Sequence, residues 1–236
     1  MMSLRALVTA LLTLATTLVL AACGGEDGGA SAEDRALAGV LAQGPLMPLE
    51  EGTRWTWRVN RGGAAWEVEA RKFGGDARPR DGRTVDYEFI YGDVGEVQDG
   101  AKSILPNPPE GLEEFYLDGF YASVQHDPPL PLLPSEPRVG AQWSWTGALK
   151  IKLDDATTRE LTTTLVLTGL ETIVTPAGTF EAVRTDETAD GLRIIRWFAP
   201  GTGLVRYEVL GREDGKPKQL FTMQLAAFTP AGSGGD

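Results

Sequence analysis

Apolar and polar residues alternate with a period of two along several segments of the chain. Trp55, Trp57 and Val59 each stand between polar neighbours. The same alternation occurs over 66–70, 85–91, 205–209 and 221–225. One apolar and one polar face is typical of antiparallel strands with water on one side. We therefore predict a mostly β fold, with an antiparallel curved sheet, half-barrel or barrel as its architecture.

A short Trp-rich motif occurs twice. The pattern Gly-x-x-Trp-x-Trp stands at 52–57 and again at 140–145, an offset of 88 residues. Two tryptophans that are two positions apart on a strand share one face, so each pair is expected in the core. The repetition predicts two similar β-rich halves, 44–130 and 131–230, followed by a disordered tail at 231–236. Chance similarity between short Trp-rich strands is the alternative.

The segment between the two halves is rich in proline. Residues 126–137 contain five prolines. Such a sequence is stiff and extended, and it predicts a rigid connector. A recognition segment for an aromatic groove is the other interpretation.

One segment has a helical pattern. Ser31 and Asp34 are suited to capping a short helix that runs through Leu37 and Val40, with Gly44 as its stop. The glycine-rich sequence before it is low in apolar residues and predicts a flexible tether. We assign 23–43 to the tether, with at most a short helix at its end.

The amino-terminal region has the parts of a secretory signal. Arg5 is followed by an uncharged stretch over 6–22, which is too short and too interrupted by threonine for a typical spanning helix. The residues Leu-Ala-Ala before Cys23 resemble the lipobox of bacterial lipoprotein precursors, and Cys23 is the chain's one cysteine. An uncleaved membrane anchor or an ordinary signal peptide is the alternative.

The resemblance to lipoprotein precursors implies a location. It implies cleavage after a signal peptide at 1–22, a diacylglyceryl group on the Cys23 thiol and a further acyl chain such as palmitate on the new amino terminus. The protein would then be exported and anchored to the membrane by lipid. Gly24 stands where the family's inner-membrane retention signal has aspartate. In a host with two membranes, this implies the outer membrane, facing the periplasm.

Two further motifs occur in the second half. Thr175–Phe180 reads Thr-Pro-Ala-Gly-Thr-Phe and Ala199–Gly203 reads Ala-Pro-Gly-Thr-Gly, and both predict tight turns between strands. Together with the Trp-x-Trp motif at 52–57, they resemble a group of β-rich bacterial exported proteins and lipoproteins. The resemblance implies a curved β-sheet and an envelope location, and it brings no catalytic residues with it.

Charge and composition exclude some functions. The net charge is −11 and the sequence pI is about 4.7. Binding to nucleic acid or to anionic lipid headgroups requires clustered Lys and Arg, so we expect neither. The membrane contact is expected through the lipid on Cys23.

Catalytic and metal chemistry have little support in the sequence. His126 is the one histidine, and no Gly-x-Ser-x-Gly motif accompanies it. Zinc would need several His or Cys ligands. The acidic run at 93–100 could offer oxygens to calcium but lacks the EF-hand spacing. We therefore predict no enzyme activity, no metal site and no cofactor.

Two functions remain open from the sequence. The first is a non-catalytic protein that binds an apolar ligand, such as a lipid or acyl chain, in the curved sheet. Its candidate ligand-binding residues are Trp57, Trp66, Tyr87 and Phe89, although the same residues also suit an ordinary core. The second is an interaction module that contacts another envelope protein through a sheet edge or the proline-rich segment, without a small-molecule ligand.

Overall fold

The computed structural model describes residues 30–48, 50, 52–61, 63–71, 78–80, 83–85, 88–91, 103–104, 112–118, 123–134, 136–152 and 156–233. One helix, α1, spans Ala32–Leu41. The strands are β1 Arg54–Arg61, β2 Ala64–Arg71, β3 Arg78–Arg80, β4 Arg83–Val85, β5 Glu88–Tyr91, β6 Ser103–Ile104, β7 Leu112–Asp118, β8 Ser123–Leu133, β9 Gln142–Lys152, β10 Ala156–Thr175, β11 Gly178–Ala189, β12 Leu192–Ala199, β13 Gly203–Glu213 and β14 Lys216–Thr229.

Twelve of these strands form one antiparallel sheet. Their order is β5-β2-β1-β14-β13-β12-β11-β10-β9-β8-β7-β6, and β3 pairs with β4 in a separate two-stranded sheet. Among the described strands, no pairing joins β5 to β6, so the sheet is open. The predicted mostly β, antiparallel fold is confirmed. Within the described part of the chain, no helix has the length and apolar content that a membrane span requires.

The sheet bends strongly toward one of its faces. The N–H of Ala177, in the turn after β10, donates to the C=O of Leu225 in β14 at 3.1 Å. Three strands lie between β10 and β14, which would hold them about 19 Å apart in a flat sheet. We call the inner face concave. Its largest buried side chains include Trp57, Val59 and Leu165, each with no exposed surface.

The first tryptophan pair closes a gap between two strands. Pairing between β13 and β14 begins at Arg206, so the backbone before it has no ladder partner in β14. The indole N–H of Trp55 donates to the C=O of Thr202 at 2.5 Å, and that of Trp57 donates to the C=O of Leu204 at 2.8 Å. The two rings are stacked, with an interplanar angle of 3°. Each indole thus buries its apolar area and satisfies a strand carbonyl.

The second tryptophan pair likewise bonds to backbone carbonyls that have no ladder partner, here between β8 and β9. The ladder between β8 and β9 ends at Asp127, where the prolines begin, because proline has no N–H to donate. The indoles of Trp143 and Trp145 donate to the carbonyls of Pro131 and Pro128 at 2.8 and 3.1 Å. Residues 126–133 of the proline-rich segment are therefore extended, as predicted, and lie within β8 between β7 and β9. β8 also runs through the predicted boundary between residues 130 and 131.

Helix α1 covers one end of the concave face. Its residues Leu37 and Val40 are buried, and the carboxylate of Asp34 accepts a hydrogen bond from the N–H of Val139 at 2.9 Å. The helix matches the predicted segment. However, it occupies residues that the sequence analysis counted with the tether, because its apolar positions pack against β10 and β11.

The segment after the helix docks on the turn between β12 and β13. The N–H of Gly201 donates to the C=O of Pro45 at 2.8 Å, and Met47 is buried beside the turn. The hairpin tip between β10 and β11 lies at the same end of the sheet. We call this end, where β13 begins and β14 finishes, the closed end. The opposite end of the same strands is the open end.

Both motifs predicted as tight turns form them. Pro176 and Ala177 connect β10 to β11, and the hydroxyl of Thr175 accepts from the N–H of Ala177 at 3.2 Å. Ala199–Gly203 connects β12 to β13. Gly203 has φ +105°, and a Cβ there would lie 3.0 Å from Nε1 of Trp55 and 3.1 Å from Sδ of Met47. Glycine is required for both its backbone angle and the close approach of the indole.

We predict that Gly203→Ala lowers the free energy of unfolding by about 3 kcal/mol, since it combines a left-handed backbone penalty with a steric clash. Gly191→Ala is the matched control: its φ is +77°, but nothing lies within 4 Å of the added Cβ. It should lose only the backbone penalty of about 1 kcal/mol. Urea unfolding followed by tryptophan fluorescence measures both. Equal losses in the two variants would contradict the packing role of Gly203.

Candidate functional site on the concave face

The open end of the concave face presents apolar side chains that are only half-buried. Ile194 of β12, Val209 of β13 and Phe221 of β14 lie directly opposite one another across the three strands. All three keep part of their surface in solvent, as does Leu161 on β10. We call these four residues the rim. Leu192, two positions before Ile194, is 37% exposed.

Exposure falls steeply from the rim toward the closed end. On the concave face of β12, Ile194 is half-buried, and the next two residues toward the closed end, Arg196 and Phe198, are buried. On β13, Val209 and Tyr207 are half-buried and Val205 has no exposed surface. The concave face is thus apolar and partly exposed at the rim and buried at the closed end.

A buried ion pair extends inward from the level of the rim, because Glu187 lies directly opposite Ile194 and Arg196 lies two residues further along β12. Nη1 of Arg196 and Oε2 of Glu187 are 2.7 Å apart, and each side chain is 4% exposed. The hydroxyl of Thr163 donates to Oε1 of Glu187 and lies 3.0 Å from it. A buried charge pair is tolerated when its oxygens and protons have further partners, as here. Arg196 also lies over the ring of Tyr207, 5.5 Å from its centroid.

Thr185 completes this group of polar residues. It lies directly opposite Arg196 in the register of β11 and β12. Its Oγ1 is buried and has no hydrogen-bond partner among the described residues. We call Thr163, Thr185, Glu187 and Arg196 the polar layer. A buried hydroxyl without a partner is uncommon and calls for an explanation.

The opposite, convex face of the same strands carries a different arrangement. The ring of Trp197 is flanked by the guanidinium groups of Arg184 and Arg206, at 5.4 and 5.2 Å from its centroid. Its indole N–H donates to Glu171 at 2.7 Å, and Arg206 Nε donates to Glu208 at 2.8 Å. The arginines cover the tryptophan from water and stack on its faces.

Asp186 joins this convex ladder. It accepts hydrogen bonds from Nε of Arg184 at 2.7 Å and from Nε of Arg193 at 3.0 Å. Burial by itself would raise the pKa of Asp186, but the hydrogen bonds and positive charge of the two arginines outweigh it and hold this pKa below its usual value. The carboxylate is therefore charged at neutral pH and serves to hold Arg184 beside Trp197.

The candidate ligand-binding residues from the sequence are only partly placed. Trp57 lies on the concave face near the closed end with no exposed surface, and its N–H is bonded to the backbone. Trp66 is opposite Val59 in the register, and Phe89 is opposite Ala70, but the structure does not describe the side chains of these two aromatics. Tyr87 and Cys23 lie outside the described residues, as do the acidic residues at 93–100.

Sequence reasoning missed the polar layer. The alternation over 205–209 and 221–225 correctly indicated one face of β13 and β14. The signal for Glu187 and Arg196 was weaker. Each is a charged residue that stands among buried positions of its strand. Only the register shows that the two meet, since they lie on neighbouring strands and two register positions apart.

The rim and the polar layer differ in their chemistry. The rim offers apolar area, and the polar layer behind it offers a hydroxyl and a charge pair of zero net charge. Within the described part of the chain, no group of three or more His, Cys, Asp or Glu side chains is placed to hold a metal ion.

Comparison with solved structures finds three to which this chain is similar, each with a TM-score of 0.41. One is described as a lipoprotein from Parabacteroides distasonis ATCC 8503, at 13% identity over 78% of this chain and 98% of that chain. Another is described as an exported protein with a YmcC-like fold from Bacteroides fragilis NCTC 9343, at 12% identity and the same coverage. The third is the hypothetical lipoprotein YmcC from Escherichia coli K12, at 13% identity over 86% of this chain and all of that chain.

No protein-family model matches the chain, and no curated protein matches it. Similarity of this extent to the three structures identifies neither a family nor a function for the chain.

We predict that removing one member of the buried ion pair costs far more stability than removing both. Arg196→Met should lower the free energy of unfolding by about 3–5 kcal/mol, because it leaves the Glu187 carboxylate buried and uncompensated. The double variant Glu187→Leu with Arg196→Met should be close to wild type. The exposed pair of Lys218 and Glu213, 2.6 Å apart, is the control, and Lys218→Met should cost less than about 1 kcal/mol. Additive losses in the double variant would contradict the coupling.

Proposed function

We propose that this chain is a lipid-anchored protein of the bacterial envelope that binds an acyl chain at the open end of its concave face and catalyses no reaction. The observation that carries the proposal is the rim, where Ile194, Val209 and Phe221 form a continuous half-buried apolar row across three strands. A row of apolar side chains that stays partly exposed is suited to the long, thin shape of an acyl chain.

The sequence supports the membrane location. A signal peptide at 1–22 and lipid on Cys23 would give an anchor of two or more acyl chains, which hardly dissociates. Such an anchor would keep the chain at the membrane surface. An acyl chain is then the apolar ligand most available to the rim.

Burial of the rim side chains also contributes a free energy large enough to support ligand binding. An apolar side chain that becomes fully buried contributes about 1.5–3 kcal/mol of free energy. Because the rim residues are only half-buried, part of this free energy is still to be gained when a ligand covers them. A chain laid across Ile194, Val209 and Phe221 would complete their burial. The charges nearest to the rim are already paired, since Glu187 bonds both Arg196 and Thr163, which favours a binding role over a catalytic one.

An interaction module without a small ligand is the alternative function. The proline-rich segment is a poor candidate for its contact, because it lies within β8 and two of its carbonyls are bonded to indoles. The strands at the two ends of the sheet, β5 and β6, are the better candidates, since each has a ladder partner on one side only among the described strands.

The lipid anchor is tested by metabolic labelling. We expect the full-length wild-type chain to incorporate a clickable palmitate and to lose residues 1–22, because both steps depend on the thiol of Cys23. Cys23→Ala should abolish the label and leave the signal uncleaved, as read by in-gel fluorescence and intact mass. A label that persists in Cys23→Ala would contradict the assignment.

The ligand site is tested by photo-crosslinking. The full-length protein, purified from membranes and held in amphipol, is exposed to an acyl probe with a diazirine on its chain. We expect crosslinks on the peptides that contain Ile194 and Val209, and a loss of about tenfold or more in Ile194→Asp, since a charge replaces apolar contact area. Val174→Asp is the control, because Val174 is 70% exposed at the closed end.

Equal labelling of the wild type and of Ile194→Asp would contradict binding at the rim. An absence of specific crosslinks would favour the interaction module.

A further inference from the structure

We infer that two copies of this chain pair edge to edge through residues 170–174 of β10. The inference goes beyond the proposed function, because it concerns the closed end of the sheet and not the rim. Its starting point is the end of β10, which runs past the neighbouring strand β9. The ladder between β9 and β10 ends at Val166, and the last backbone bonds on that side join Leu167 to Gly140 and Ala141.

Beyond Leu167, one edge of β10 has no backbone hydrogen-bond partner within the described part of the chain. The other edge pairs with β11 as far as Thr175, so the hairpin of the two strands continues past the end of β9. Thr172 is exposed, and Val174 is 70% exposed. A strand edge of this kind carries N–H and C=O groups that can pair with another strand.

The register shows which residues direct their backbone groups outward. The N–H and C=O of Leu167 both face away from β11, since they bond to the segment before β9. A bulge after Leu167 adds one residue to β10, and beyond it the bonding direction alternates along the strand. Leu170, Thr172 and Val174 therefore also face outward. They are evenly spaced, with Thr172 at their centre.

Such an edge is complementary to itself. In an antiparallel pair with a twofold axis at Thr172, every outward residue lies opposite an outward residue of the second copy, and each such pair exchanges both of its N–H···O=C bonds. Thr172 then faces Thr172 of the second copy, and Leu170 faces Val174. Pairs of threonines and of apolar residues are favourable across strands. Glu171 lies opposite Ile173, so no like charges meet.

The side chains of this edge do not prevent such pairing. Natural edge strands are protected by lysine, by proline or by charges that point inward. The three outward residues are uncharged, and the carboxylate of Glu171 is held by Arg184 and Trp197 of its own copy. Two copies anchored in one membrane would also meet at a high effective concentration. A second copy of this chain is therefore the partner that fits the edge.

Disulfide crosslinking of the full-length chain in membranes tests the register. Thr172→Cys should form a dimer, because the Cα atoms of such a pair lie about 5.5 Å apart, within the range of a disulfide. Val174→Cys is the matched control: Val174 is 70% exposed, but its two copies would lie about 14 Å apart. Under a mild oxidant, we expect a dimer yield about fivefold higher for Thr172→Cys on non-reducing gels. Equal yields, or a higher yield for Val174→Cys, would overturn the inference.

A second variant tests the backbone bonds. In the Thr172→Cys background, Val174→Pro removes an N–H that faces outward, and Val174→Thr is the control that keeps it. Proline should lower the dimer yield about fivefold and leave the thermal unfolding midpoint close to that of the control, because edge strands tolerate proline. An unchanged yield would overturn the inference, since this N–H is then not used between copies. A midpoint lowered by proline would also overturn it, since the N–H is then used within one copy.

The outcomes separate this inference from the proposed function. The wild-type chain has Cys23 as its one cysteine, which lipid would block, so it should give no disulfide dimer. A wild-type dimer would contradict the lipid anchor, while the difference between the two cysteine variants still decides the pairing. A Thr172→Cys product that contains a different protein in place of a second copy would assign the edge to that protein and overturn the inference.

Discussion

Strand carbonyls that lose their ladder partners need other donors, and this requirement shapes the molecule. A strongly bent sheet cannot keep every strand paired along its whole length, so carbonyls are left free where β13 leaves β14 and where the prolines of β8 end its ladder with β9. An unpaired buried carbonyl is costly. In both places indole N–H groups supply the bond, from Trp55 and Trp57 on one side and from Trp143 and Trp145 on the other.

The same strands use charge differently on their two faces. On the convex face, Arg184 and Arg206 stack on Trp197 and are held by carboxylates in partial contact with water. On the concave face, Arg196 and Glu187 are enclosed and bond mainly to each other. The convex ladder uses long side chains to cover apolar surface. The concave pair places two charges that neutralise each other among buried side chains.

The two ends of the concave face also differ, and this difference supports a binding role. At the closed end, α1, Met47 and the hairpin tip after β10 fill the space against the tryptophans. At the open end, the rim keeps apolar area partly in water. A domain tethered close to a bilayer by lipid would present this area to acyl chains, whose burial there is favourable for the same reason that the core is buried.

The sequence by itself determined the elements that depend on neighbours in the chain. Alternation predicted the strands around Trp57 and Val209, glycine and proline predicted the turns at 175–178 and 199–203, and capping residues predicted α1. These features follow from backbone geometry and local periodicity. For the candidate site, the sequence indicated the apolar faces of β13 and β14 and no more.

Only the tertiary structure decided which strands pair and in which register. That register brings Glu187 beside Arg196, places Thr185 behind Ile194, and turns the proline-rich segment into a strand whose carbonyls bond to tryptophans of β9. The tertiary structure also makes α1 part of the folded domain and not of the predicted tether, since Leu37 and Val40 pack on an apolar surface formed by strands distant in sequence. Contacts between residues far apart in sequence depend on the bend of the whole sheet, and no local pattern encodes that bend.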